Sequence, residues 1–317
     1  MPLHEEPIKT VSDFRVECLD PIIYSAQLSY RAQTRRQLLI LCISFLSSVS
    51  LFVLSRIFPS GSYVSIVLGI PAFLASILTV IMTTHLCTRR VIYKTQLQSS
   101  LISACCGFIS PDLTHIPRWF VSKNHFKASN LFYSFPDLYS GDSLIDGFVH
   151  SIHFRASFVH ASYKIRKMYV RVPIIKYRSF FDGLCVALTL PHSSNNDFYC
   201  IPRFHSLLSI NADSYTSFLT SHEELDNTYI FLSQDGTISE SMKNAVTSFI
   251  LHIYQETAQS PLISFRDKVL FIALNDSTVS FNTKFSGELI HRRATEKYCY
   301  ILQESVHLAQ LLSSISQ

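Results

Sequence analysis

Glycine is scarce in this chain, with eight among 317 residues, and neither GxGxxG nor GxxxxGK[ST] occurs. Both motifs cradle phosphate with backbone that only glycine allows to come so close, so nucleotide- and dinucleotide-binding loops of those kinds are excluded. The strained GxSxG elbow of α/β-hydrolases is also missing. The eight cysteines, at 18, 42, 87, 105, 106, 185, 200 and 299, form no CxxC pair matched by a second pair or by histidines at zinc spacing. They read as free thiols in a reducing compartment. Cys185 sits in an apolar stretch that would leave its thiol inert. The formal net charge of +4 is small for this length and argues against a dedicated nucleic-acid binder. From these absences we expect no catalytic residue of a recognisable enzyme class, no metal site and no cofactor.

Charge is the next thing missing. Between Arg36 and Arg89, the runs Gln37 to Ser55 and Ile57 to Leu86 carry no charge, Arg56 stands alone between them, and Phe58-Pro59-Ser60-Gly61-Ser62 is the break. A helix needs about 20 mostly apolar residues to cross a bilayer, and Pro and Gly together break helix geometry. The pattern therefore predicts a transmembrane hairpin, with helices over about 37–57 and 63–87. An N-terminal tail over 1–36 would precede it and a cytoplasmic α+β domain over 88–317 would follow. Arg31, Arg35 and Arg36 before the hairpin, and Arg89, Arg90 and Lys94 after it, put both termini in the cytoplasm by the positive-inside rule. A two-span, multi-pass protein of a bacterial cell membrane follows as the expected localisation. Two such spans contain no acid and no lysine, with His85 near one end, which disfavours an ion pathway.

Beyond the hairpin, Tyr93 to Cys106 reads as helix and Trp119 to Tyr139 as an irregular aromatic stretch. From Leu144 the pattern alternates: Phe148, His150, Ile152 and Phe154 share one strand face, and Val149, Ser151, His153 and Arg155 the other. Further strand-like runs are Ser157 to Tyr163, Met168 to Val172, Phe180 to Leu190 and Asp197 to Ile201, which together predict an antiparallel meander, and Asn227 to Ser233 reads as another strand. A polar, helix-like stretch spans Ser206 to Glu224. Thr237-Ile238-Ser239-Glu240 reads as a capping box opening a helix to about Thr257, whose apolar face is Met242, Val246, Phe249, Ile250 and Ile253. Leu262 to Phe265 and Lys268 to Leu274, joined by Arg266-Asp267, predict a hairpin. An amphipathic helix over Ala294 to Ile315 closes the chain.

Four short motifs recur in a known order: Phe126-Lys127-Ala128-Ser129-Asn130-Leu131-Phe132; Tyr139-Ser140-Gly141-Asp142 with Asp146-Gly147; Tyr177-Arg178-Ser179-Phe180-Phe181-Asp182-Gly183-Leu184; and Ile263 to Ala273. In these the chain resembles bacterial two-span membrane proteins with a cytoplasmic domain of unknown function. The closely spaced hairpin and the Ser-, Phe-, Leu- and Cys-rich style are also similar to the bilobed inclusion-membrane proteins of chlamydiae, which would put the chain in a host-derived inclusion membrane instead. Neither resemblance implies a catalytic activity.

Two polar clusters offer chemistry. His150, His153 and His160, near Asp142 and Asp146, are of the types that bind metal or shuttle protons. Opposite strand faces for His150 and His153 argue against one shared ion. The second cluster is Lys164, Arg166, Lys167, Arg171, Lys176 and Arg178, with Tyr163, Tyr169 and Tyr177 interleaved and no acid between Ala161 and Phe181. Such a strand edge suits anionic lipid head groups or an acidic protein partner. A solvated face that guards an edge against pairing is the bland alternative, and RNA stacking a third. The overall expectation is a membrane-anchored, non-catalytic interaction or scaffold protein. Its expected partners are the lipid bilayer, anionic head groups and an unidentified protein, with no nucleic acid. A membrane-associated hydrolase or a subunit of an oligomeric transporter is the alternative.

Overall fold

The computed structural model describes residues 18–57, 63–132, 135–149, 151–169, 172–191, 197–203, 215–220, 222–234, 236, 238–275 and 292–315. The chain divides into two compact units. Val16–Ser100 forms one, and Leu101–Gln317, together with the first fifteen residues, forms the other.

The first unit is made of α1 (Asp20–Ile57) and most of α2 (Tyr63–Ile109). Polar contacts join these helices: Ser48 and Ser76 hydroxyls lie 2.8 Å apart, and Ser44 and Thr79 hydroxyls 3.3 Å apart. Other hydroxyls turn inward, Thr79, Thr83, Thr84 and Thr88 each donating to a carbonyl one turn back, a local alternative that Ser and Thr take readily in helices. Among the described residues, no helix is long and apolar enough to cross a membrane. This overturns the expected transmembrane hairpin over 37–57 and 63–87, and with it the multi-pass bacterial-membrane localisation and the inclusion-membrane variant of it. Charge counting passed over the recurrent hydroxyls, and the apolar runs are continuous with charged helix: α1 already begins at Asp20 and α2 runs on through Arg89, Arg90 and Lys94 to Ile109. Residues 20–36, expected as tail, are the opening turns of α1. The Phe58 to Ser62 break lies outside the described residues.

The second unit is α+β. Its elements are β1 (Leu113–Ile116), α3 (Lys123–Ala128), β2 (Leu138–Val149), β3 (Ile152–Tyr169), β4 (Val172–Thr189), β5 (Phe198–Pro202), β6 (Thr216–Phe218), α4 (Glu223–Thr228), β7 (Tyr229–Ser233), α5 (Glu240–Thr257), β8 (Leu262–Arg266), β9 (Val269–Leu274) and α6 (Arg292–Ile315). The nine strands make one sheet in the order β1-β2-β3-β4-β9-β8-β5-β7-β6, with antiparallel neighbours throughout.

Both faces of the central strands are covered. On one side α5 buries Met242, Val246, Phe249, Ile250 and Ile253, Met242 and Val246 meeting Phe198, Cys200 and Phe231 around a small apolar pocket. Tyr298 of α6 stacks on Phe158 at 5.2 Å. On the other side Val121, Phe126, Leu131 and Phe132 pack on Val159, Ala161, Phe181, Cys185, Ala187, Tyr199, Ile201 and Phe271. Strands buried on two faces read as continuous apolar runs rather than alternating ones, as Leu184 to Leu188 does. Phe126 is the hub of this second layer, stacked on Phe132 at 4.6 Å, tilted against Tyr139 and Phe181 at 5.3 and 5.7 Å, and edge-on to Phe271 at 6.2 Å.

Several local expectations change. The alternation read as one strand through Phe148 and Phe154 is a hairpin, with Val149 opposite Ile152. Met168 to Val172 is likewise not one strand: Met168 and Tyr169 end β3 and Val172 begins β4, with Tyr169 facing Val172. The helix α5 is capped by Ser239, whose hydroxyl accepts from the Met242 N–H at 3.3 Å, and not by Thr237, which lies outside the described residues. Of the polar stretch Ser206 to Glu224, the described part includes a strand, β6, and the start of α4.

Candidate functional site

The length of β3 and β4 makes the site. β2 pairs with β3 only as far as Leu138 opposite Ser162, and β9 pairs with β4 only from Leu184 to Thr189. Among the described residues, the two strands pair from Tyr163 to Arg178 with each other alone, as a ribbon leaving the sheet. A β-bulge marks the exit. Ala161 faces Phe181 while Ser162 faces Ser179, so Phe180 is the extra residue, and both Phe180 and Phe181 reach the aromatic core. Bulges bend a strand and increase its twist, which suits the place where the ribbon departs.

Along the ribbon every cation faces an apolar or aromatic residue across the strands: Arg178 faces Tyr163, Lys164 faces Tyr177, Lys176 faces Ile165, Arg166 faces Ile175 and Lys167 faces Ile174. Like charges directly opposite would repel, and the register avoids every such pair. Arg166, Ile175, Lys176, Tyr177 and Arg178 are exposed, and Lys164 and Ile165 half-buried. Ile175 is 50% and Tyr177 54% accessible, high for apolar side chains in regular structure. The ion pairs of the described residues fall elsewhere, at Asp146, Asp182, Asp197, Glu240 and Glu304. The structure thus brings together five of the six cations read from the sequence. Arg171 lies outside the described residues.

The base of the ribbon adds two cations that the sequence reading missed. Lys123 and Lys127, one turn apart on α3, hold their ammonium groups 4.9 and 4.6 Å from the ring centre of Phe135, a ring 47% accessible. Two residues on, the Asp137 carboxylate accepts the Lys164 N–H at 2.7 Å while the Asp137 N–H donates to Ser162. The surface therefore continues from α3 through Phe135 and half-exposed Leu138 to the ribbon. The i,i+4 lysine pair was the available signal, hidden because α3 is only six residues long.

The histidine cluster resolves into two separate arrangements. In the first, Asp146 Oδ1 accepts from Arg155 Nε at 2.8 Å and lies 3.0 Å from His153 Nε2, with Phe148 stacked on the His153 ring. Arg155 Nη1 approaches His125 Nε2 at 3.4 Å, and His125 Nδ1 lies 2.6 Å from Ser122 Oγ. Burial, then Arg155 and His153, lower the His125 pKa, so it stays neutral and accepts at Nε2. In the second, Ser162 Oγ, His160 Nε2, His160 Nδ1 and Asp182 Oδ2 follow in the order of a hydrolytic triad. The geometry does not support that role. The His160 to Asp182 separation of 3.6 Å is too long for the orienting hydrogen bond, and Ser162 is buried to 2% accessibility, out of a substrate's reach. Asp142, expected near the histidines, instead accepts the N–H groups of Arg118 and Ser143 at the bulge in β2. His150 lies outside the described residues. Among those residues, no group of three His, Cys, Asp or Glu side chains is placed to hold a metal ion.

No family model and no curated protein matches this chain. Among solved structures, the crystal structure of the mycobacterial trehalose monomycolate transport factor A, TtfA, aligns with 60% of this chain and 92% of its own, at 6% identity and a TM-score of 0.30.

Proposed function

We propose that the chain is a non-catalytic interaction protein whose sheet unit offers the basic ribbon over 163–178 to an anionic partner. The observation that carries this reading is the register: five successive cross-strand pairs, each joining one cation to one apolar or aromatic residue, on a segment that, among the described residues, no flanking strand holds. A ribbon whose charges only guarded its edges would have no use for exposed Ile175 and Tyr177 beside them. Lys123 and Lys127 enlarge the positive surface, and exposed charges of one sign raise encounter rates with anions.

The test is retention of the protein on immobilised polyphosphate. Wild type should be held at low salt and released as salt screens the charges over a Debye length of about 10 Å at 0.1 M. Reversing Lys164, Arg166 and Lys176 to Glu should abolish retention and leave the unfolding midpoint in place, since exposed substitutions stay within about 0.5 kcal/mol each. Reversing Arg89, Arg90 and Lys94, an equal change of net charge elsewhere, should leave most of the retention. Equal losses in both triple variants would reduce the ribbon to a contributor to net charge.

A further inference from the structure

Resting on that reading, we infer that the anionic partner is a lipid surface, met at its head-group level by the ribbon side chains. The contact needs no spanning helix. A soluble polyanion offers the cations phosphate and nothing more, whereas the boundary of a lipid layer offers phosphate and an apolar phase within a few ångströms of each other. The ribbon's side chains call for both at once. Arg166 is paired with Ile175, Lys176 with Ile165, and Lys164 with Tyr177, so wherever a cation lies an aliphatic or aromatic group lies against it. Long cationic side chains lay their methylenes along apolar surface and keep their charge at the polar side, and tyrosine does the same with its ring and hydroxyl. That is the arrangement of the head-group region, where amphipathic elements bury their apolar side to a depth of about 5–10 Å.

The composition discriminates between anions. Single-stranded nucleic acid is held by aromatic faces on which bases stack, yet here the residue opposite Arg166 is Ile175 and the residue opposite Lys176 is Ile165. Isoleucine has no face to stack on and gains by leaving water. Half-exposed Leu138 and Phe135, under Lys123 and Lys127, repeat the combination at the ribbon's base. Among the described residues the ribbon has no paired neighbour beyond Ser162 on β3 or before Leu184 on β4, so both its edges are open to a partner.

The experiment places tryptophan at Ile175 in the full-length chain, after Trp119, the single native tryptophan, has been changed to Phe. Vesicles of phosphatidylcholine with 30% phosphatidylglycerol should shift the emission to shorter wavelength, and lipids brominated high on the acyl chain should quench it. Vesicles of phosphatidylcholine alone should do neither at equal concentration. Each cation near an anionic surface accounts for about a five-fold gain in partitioning, so Lys164→Gln and Arg166→Gln, which share the ribbon face of Ile175 and Tyr177, together should weaken the response by about 25-fold. Ile175→Asp and Tyr177→Asp in the native background should weaken vesicle binding at least ten-fold while polyphosphate retention stays as in wild type. Retention on polyphosphate or an oligonucleotide with no emission shift on anionic vesicles would overturn the lipid assignment and leave the basic-ribbon reading standing. Loss of both would overturn both.

Discussion

The cysteines and His125 show how place, not residue type, sets reactivity. Burial together with neighbouring Cys299 pushes the Cys106 thiol up to about 12, and burial pushes Cys185 and Cys200 well above the usual thiol range. A thiol reacts as its anion, so iodoacetamide at pH 8 should label exposed Cys42 and Cys87 in the native protein. Cys105, Cys106, Cys185, Cys200 and Cys299, all buried, should be labelled only after denaturation, as peptide mass spectrometry would show. Rapid native labelling of Cys185 would mean that the sheet opens there. For His125 the sign follows from its lowered pKa. Above the ordinary value of 6.5 neither state is protonated and the residue adds no pH dependence. As pH falls below 6.5 the unfolded chain takes a proton that the folded chain refuses, and stability drops until the folded pKa is passed. His125→Asn, which retains a donor toward Ser122, should show a smaller fall in melting temperature between pH 7.5 and 5.5 than wild type. A steeper fall would show that His125 is protonated in the fold.

The elements of the sheet unit differ in how far the sequence announces them. The face of α5 was legible because Met242, Val246, Phe249, Ile250 and Ile253 recur at helical spacing over about three turns, and all five are buried. The hairpins β2-β3 and β3-β4 were not, because the sequence between Val149 and Ile152 and between Tyr169 and Val172 contains none of the Gly, Pro, Asn or Asp that sets hairpin turns. The extra residue Phe180 was equally hidden, since a bulge shows in pairing and not in composition. So the cations were legible as a charge run, while the free-standing ribbon that makes them a surface was not. Two variants of α5 test its assignment at graded cost. Ser239→Ala removes the cap on the Met242 N–H and should cost about 1 kcal/mol. Phe249→Asp puts an unpaired carboxylate where Phe249 is 3% accessible and should cost several kcal/mol, enough to unfold the sheet unit under native conditions by circular dichroism. A neutral result would mean that this face is solvent-facing.

At the scale of the whole molecule, the four short motifs noted in the sequence have a structural meaning. Phe126 and Phe132 come from the first, Tyr139 from the second, Phe180 and Phe181 from the third and Phe271 from the fourth, and they meet in one aromatic cluster. Gly141 and Gly147 belong to the same account. A side chain on Gly141 would collide with the Phe158 carbonyl and the Phe120 Cβ, and one on Gly147 with the Asp112 carbonyl. These positions are fixed by packing, which is why they mark a fold and name no reaction. The cluster's residues, from Val121 to Ala273, all belong to the unit over 101–317 and none to Val16–Ser100. Its stability is therefore a property of that unit. Phe126→Ala deletes the ring on which the other five converge and should cost about 3–5 kcal/mol, the usual range for a buried Phe whose cavity cannot close. Because a mutation acts additively where it shares no partner with the rest, the loss measured by urea unfolding should agree within about 0.5 kcal/mol between the full chain and a fragment over 101–317. A fragment that fails to fold, or a loss much smaller in the fragment, would show that the helices of the first unit hold this core together.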